Sequence, residues 1–181
     1  MQAFFALILI LTISPAIAAN ITPISGQHCV ITKSISIDDL ASKSGIIFRG
    51  KFEDFSIVEE NGLTVRKLGF NVIDPIRGVD PKAKKLVLKE WAKIRSPFSA
   101  EEIAKDLEYV FFFNTPSSKG LTSLNGMEQG LVEISEDNSL KFSKRLNLGN
   151  NYSKASTMSL RSNSMNITSY EGLKKFCKVS Q

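Results

Sequence analysis

Histidine is nearly missing from this chain: His28 is the only one among 181 residues. Zinc catalysis and imidazole-based acid–base chemistry usually need more than one, so both are disfavoured and no metal site is expected. Cysteine is as scarce, with Cys29 and Cys177 alone, so at most one intrachain disulfide can form. The acidic pairs Asp38/Asp39, Glu59/Glu60 and Glu101/Glu102 are sequence neighbours, whose side chains diverge on a strand or a helix, so none is a ready carboxylate dyad. The glycine pair in GMEQG, residues 126–130, has no Lys-Ser/Thr after it and reads as a turn, not a phosphate loop. There is no internal repeat. No catalytic constellation and no cofactor motif emerge, and the chain reads as a non-enzyme.

What is present begins with a leader. Ala3–Leu11 is an unbroken apolar run, too short to span a bilayer, followed by Ser14, Pro15 and the small-x-small step Ala16-Ile17-Ala18. Residues 1–18 read as a secretory signal peptide, with cleavage after Ala18 or Ala19, and no cysteine stands there to carry a lipid. The expectation is a periplasmic or secreted protein with no transmembrane segment in the mature chain, and a single domain over 19–181. The net charge of +5 lies wholly beyond the leader; it is modest and favours anionic surfaces without naming one. In an oxidising compartment the Cys29–Cys177 pair favours a disulfide, worth roughly 4–5 kcal/mol in the chain-entropy model for so long a loop. A reactive thiol at His28-Cys29 is the competing reading, without a visible third group to orient it.

Alternating and continuous apolar patterns predict a mostly β fold. QHCVITKSISI can form a strand, and IDDLASKS a short helix capped by Ser36 or Asp38 and stopped at Gly45. SGIIFRGKFEDFSIVEENG then runs as a long strand into Asn61-Gly62, a strong hairpin signal. Its apolar residues switch parity, from Ile46, Phe48 and Phe52 to Phe55 and Ile57. The return strand LTVRKLGFNVIDP does the same, from Leu63 and Val65 to Leu68, Phe70 and Val72. The expectation is a bulge or sharp coil near Gly50 and Gly69, of the kind a small closed barrel needs. KKLVLKEWAK alternates, EYVFFFN predicts a central strand buried on both faces, and GLVEIS and LKFSKRL read as further strands. SAEEIAKDL is a helix with Ser99 as cap, or a loop insertion. The Ser/Asn-rich stretch at about 149–169 is a flexible connection with little regular structure, and SYEGLKKFCKV is an amphipathic helix.

SGIIFRGKF, FNVIDPIRG, EYVFFF and GLKKFCKV together resemble the oligonucleotide/oligosaccharide-binding (OB) barrel in its netrin-module form, shared with tissue inhibitors of metalloproteinases. The resemblance covers about residues 29–178. It implies a five- to six-stranded Greek-key barrel with a short N-terminal and a C-terminal helix, the latter bridged through Cys177 to the N-terminal segment. Inhibitors of that family chelate the protease zinc with a cysteine at the mature N-terminus. Here about ten residues precede Cys29, so the resemblance supports the fold better than it supports inhibition.

One patch stands out. Read as a strand, PKAKKLVLKEWAKIR places Lys85, Val87, Lys89, Trp91, Lys93 and Arg95 on one face, where the sole tryptophan and interleaved cations suit an anionic ligand. Read as a helix, Ala83, Val87, Trp91 and Ile94 form a stripe that is simply core. The lysines also suit a solvated edge strand. The leading expectation is an exported binding module whose partner is a protein, an anionic glycan or another envelope component, nucleic acid being disfavoured by compartment. The alternative is an inhibitor of a secreted or periplasmic hydrolase acting through His28-Cys29, and an enzyme with an unseen site is third.

Overall fold

The computed structural model describes residues 34–99, 103–143 and 167–180. The N-terminal helix α1 spans Ile37–Lys43. Ser36 caps it, its Oγ accepting the Asp39 amide at 3.1 Å, with acids in the first turn and Lys43 in the last, as the helix dipole favours. Two 15-residue strands follow, β1 (Ile46–Glu60) and β2 (Leu63–Arg77). They meet at Asn61 and Gly62, whose φ of 51° and 72° make the tight turn the sequence signals. The strands β3 (Lys85–Trp91), β4 (Glu108–Phe113), β5 (Leu131–Ile134) and β6 (Leu140–Lys141) complete the set. The chain closes on helix α2, Tyr170–Val179, capped by Ser169.

These strands form one antiparallel sheet in the order β3-β2-β1-β4-β5-β6. β1 pairs with β2 almost throughout, but with β4 only from Ile46 to Gly50. β3 pairs with the part of β2 from Val65 to Asn71. The long hairpin thus serves two halves of the sheet: β1–β4–β5–β6 on one side, β1–β2–β3 on the other. The ladder is open, ending at β3 and β6, where the sequence leads one to expect a closed barrel. A lone parallel bridge, Lys89–Leu121, joins β3 to the segment that follows β4.

The parity switch has a concrete cause. In the β1–β2 ladder the extra residues are Glu53 in β1 and Ile73 and Ile76 in β2. Glu53 falls opposite the Gly69–Phe70 step and Ile73 opposite the Arg49–Gly50 step, so each glycine faces its partner's bulge instead of being one. At Gly50 the strands come so close that a Cβ would sit 2.4 Å from the Asn71 carbonyl oxygen. The Glu53 bulge restores Phe55, like Phe52, to a single face. The return strand needs no bulge between Val65 and Leu68: Val65 is buried on the opposite face, flanked by its cross-strand partners Val58 and Trp91.

Each face of the sheet carries its own core. On one, α1 and α2 cover Ile47, Val110, Phe112, Val132 and Ile134. On the other, Phe48, Phe52, Phe70, Phe98, Phe111 and Phe113 pack ring against ring, centroids 4.9–6.3 Å apart. β4 feeds alternate side chains to both, which is why EYVFFF reads as a continuous apolar run. Phe98 enters from a 3-10 turn, Pro97–Ser99. Residues 103–107 carry no helix, only turns and bends, as the loop reading expects, and the Ser99 hydroxyl donates to the Ser96 carbonyl. β6 takes only two residues of LKFSKRL. The leader, the QHCVIT segment with Cys29 and His28, and nearly all of 149–169 lie outside the described residues.

Gly78, just past β2, has φ +67°, and a Cβ there would meet the Gly45 carbonyl at 2.2 Å. This contact seats the end of β2 against the start of β1. It also holds Arg77 where its guanidinium donates to carbonyls at the C-terminal ends of both helices, Ala41 and Ser44 from α1, Cys177 and Ser180 from α2.

Candidate functional site

The helices cover the part of their face made by β1, β4, β5 and the end of β2 around Asp74–Arg77. Its continuation across β3 and the first half of β2 has no helix over it among the described residues, and it carries the lysine–tryptophan patch, with Val65 buried between Val58 and Trp91. β3 alternates as a strand should: Leu86, Leu88 and Glu90 turn toward the phenylalanine core, while Lys85, Val87, Lys89 and Trp91 turn out. The strand reading of this segment is therefore the correct one. Val87 is 61% exposed and Trp91 46% exposed, two apolar side chains separated by Lys89 on this face. Lys93 and Arg95, expected on the same strand face, lie beyond the end of β3, and Arg95 has interactions of its own.

The lysines do not stand as free cations. Lys89 and Lys67 are directly opposed across β3 and β2, a pairing that repels unless an acid intervenes. Glu60, from the far end of β1, supplies that acid, 2.6 Å from Lys67 and 2.7 Å from Lys89. Hydrogen bonds from Lys67 first, then Lys89, hold the Glu60 carboxyl below its usual range. The bulged Glu53 reaches Lys85 at 3.4 Å. All these side chains are at least partly in water, where such pairs contribute little to stability. The surface keeps a small positive excess, three lysines against two acids, and Lys89 separates the exposed Val87 from Trp91. These acids were not foreseen because they come from β1, across a register that the sequence does not display.

Under the helix-covered half sits a second charged cluster. Asp74 accepts from the Tyr170 hydroxyl and from Lys174, the latter at 2.5 Å. Arg49, its register partner in β1, lies 4.6 Å from the centre of the Tyr170 ring and pairs with Glu108 at 2.5 Å. Burial, then the Asp74 bond, pushes the Tyr170 phenol far up. Burial alone would raise Asp74, but its bonds from Lys174 and Tyr170 outweigh this and hold it below its ordinary 3.8. These partners satisfy one another, so the cluster fastens α2 to the sheet. A folded-state pKa below the unfolded one gives stability that is present above about pH 4 and lost as pH falls through the folded value. Asp74→Asn is expected to lower stability at neutral pH and to flatten its acid dependence below about pH 4, read as urea midpoints across that range.

Cys177 is wholly buried in the helix-side core. Burial pushes its thiol up to about 12, against a smaller downward pull from Arg77, so as a thiol it is chemically inert. Among the described residues no group of three or more His, Cys, Asp and Glu is placed to hold a metal, and no helix is long and apolar enough to cross a membrane. Asp39 pairs with Lys43 at 2.6 Å, and Glu59 accepts from the Thr64 hydroxyl at 2.6 Å. No protein-family model matches the chain, and no curated protein matches it significantly.

Proposed function

We propose that this is a non-enzymatic exported binding module, periplasmic or secreted, that engages an anionic envelope glycan through the β2–β3 face. One observation carries the reading: the only tryptophan of the chain stands exposed on the same strand face as Lys85 and Lys89, one strand position beyond Lys89 and its cross-strand partner Lys67. An exposed ring offers a stacking surface for a sugar, and these lysines can exchange Glu53 and Glu60 for anionic groups of the ligand.

The OB-like, netrin-module-like barrel belongs to the same reading. Its support is the segment 121–125, which links the edge strand β3 to β4 across β2 and β1: the Thr122 amide donates to the Lys89 carbonyl at 2.7 Å, and Leu124 bridges to Phe113 in β4. A Cys29–Cys177 disulfide would staple the N-terminal segment to α2.

The test measures binding to a sulfated or phosphorylated polysaccharide across salt concentrations. Trp91→Ala is expected to cost about 2 kcal/mol, some 30-fold, at every salt concentration. Lys89→Glu is expected to weaken binding chiefly at low salt, where a surface charge is least screened. If neither substitution changes affinity, this face is not the contact surface.

A further inference from the structure

The opposite face of the sheet holds a cleft of about 280 Å³, lined by Phe52, Phe55, Pro97, Phe98, Ile103 and Lys105. Its floor is firm: Phe52, Phe98 and Ile103 are all buried members of the phenylalanine core, and the Phe52 and Phe98 rings lie 5.0 Å apart. One wall is Phe55, which stays 38% exposed. The Glu53 bulge places it there, because regular alternation after Phe52 would turn Phe55 to the other side of the sheet. The Arg66 guanidinium, over the Phe55 ring at 5.8 Å, backs that wall. Lys105 is the only charged residue in the lining; it is exposed, and among the described residues it has no acidic partner.

An aromatic cleft with a single ammonium group at its edge selects a particular chemistry. Water held against five apolar side chains makes few hydrogen bonds, so displacing it by hydrocarbon is favourable. The volume lies just below the ~300–1,000 Å³ of typical ligand sites, which fits one short chain and excludes a two-chain lipid. We propose that the cleft binds a medium-chain fatty acid anion, its chain between Phe55 and the Pro97–Phe98 turn and its carboxylate on Lys105. This site is independent of the tryptophan face, which lies on the other side of the sheet.

The experiment titrates the full mature chain with octanoate and, separately, with octanol, following heat and the methyl resonance of Ile103. Octanoate is expected to bind about tenfold more tightly than octanol, the difference supplied by the charged contact. Lys105→Glu should erase that preference and leave octanol unchanged. Phe55→Ala, with its folding checked by urea midpoint, should weaken both ligands, and Trp91→Ala should weaken neither. Equal binding of octanoate and octanol by the wild type, no saturable binding of octanoate, or octanoate binding indifferent to both Lys105→Glu and Phe55→Ala would overturn the proposal.

Discussion

Glu90→Ala is expected to destabilise the fold by about 3–5 kcal/mol, the cost of leaving a buried charge without its partner. Glu90 and Arg66 are register partners on β3 and β2, paired directly, with side chains only 2% and 5% exposed. Arg66 also donates to the Ala92 carbonyl at 3.0 Å, while its buried Nε has no hydrogen-bond partner. Removing the carboxylate leaves the guanidinium desolvated beneath the chain that crosses at Ala92. The double replacement Arg66→Met with Glu90→Leu should behave differently, staying close to wild-type stability or exceeding it, because two apolar side chains lose the desolvation cost along with the attraction. Urea unfolding of the single and double variants separates these outcomes. A small loss in Glu90→Ala would mean that water reaches the pair.

Arg77→Met is expected to cost about 3 kcal/mol, since hydrogen bonds from a charged donor are each worth about 1.5–3 kcal/mol and part of the loss is recovered by water. The residue is unusual in serving two helix ends at once. Four carbonyls at the C-termini of α1 and α2 receive one guanidinium, which offsets the negative end of both helix dipoles. Arg77→Lys should restore little, because an ammonium cannot span two carbonyl clusters as a planar fork does. Hydrogen exchange supplies the specific signature: amides of α1 and α2 should lose protection together in Arg77→Met, while those of β2 and β3 keep theirs.

How much of this was legible in the sequence depends on the range of each interaction. Helix α1 with its Ser36 cap, the Asn61-Gly62 hairpin, the alternation of β3 and the double burial of β4 all follow from local pattern, and the structure contains them. The parity switch and a bulge near Gly50 and Gly69 were legible, but not which strand carries the extra residue. Whether an extra residue lies in β1 or in β2 is a property of the register, and Glu53 carries no local mark of a bulge. The buried Arg66–Glu90 pair is hidden for the same reason. Each charge sits in phase with the apolar residues of its strand, Arg66 with Leu68 and Phe70, Glu90 with Leu86 and Leu88, but only the pairing of β2 with β3 shows that they meet. The tryptophan face was visible as a composition of Lys85, Lys89 and Trp91; the pairing of its lysines with Glu53 and Glu60 was not. The apolar cleft was invisible, because Ile103 and Lys105 belong to a segment whose sequence suits a helix as well as a loop, and Phe98 stands just before it.

The most direct test of the binding face uses its own reporter. Trp91 is the only tryptophan, so its emission reports that surface alone. Titration with an anionic glycan is expected to shift the emission to shorter wavelength, saturably, as the exposed ring is covered, and to do so less at high salt. Binding detected by heat or mass with no change in Trp91 emission would place the contact elsewhere on the molecule, and the proposed function would fall with it.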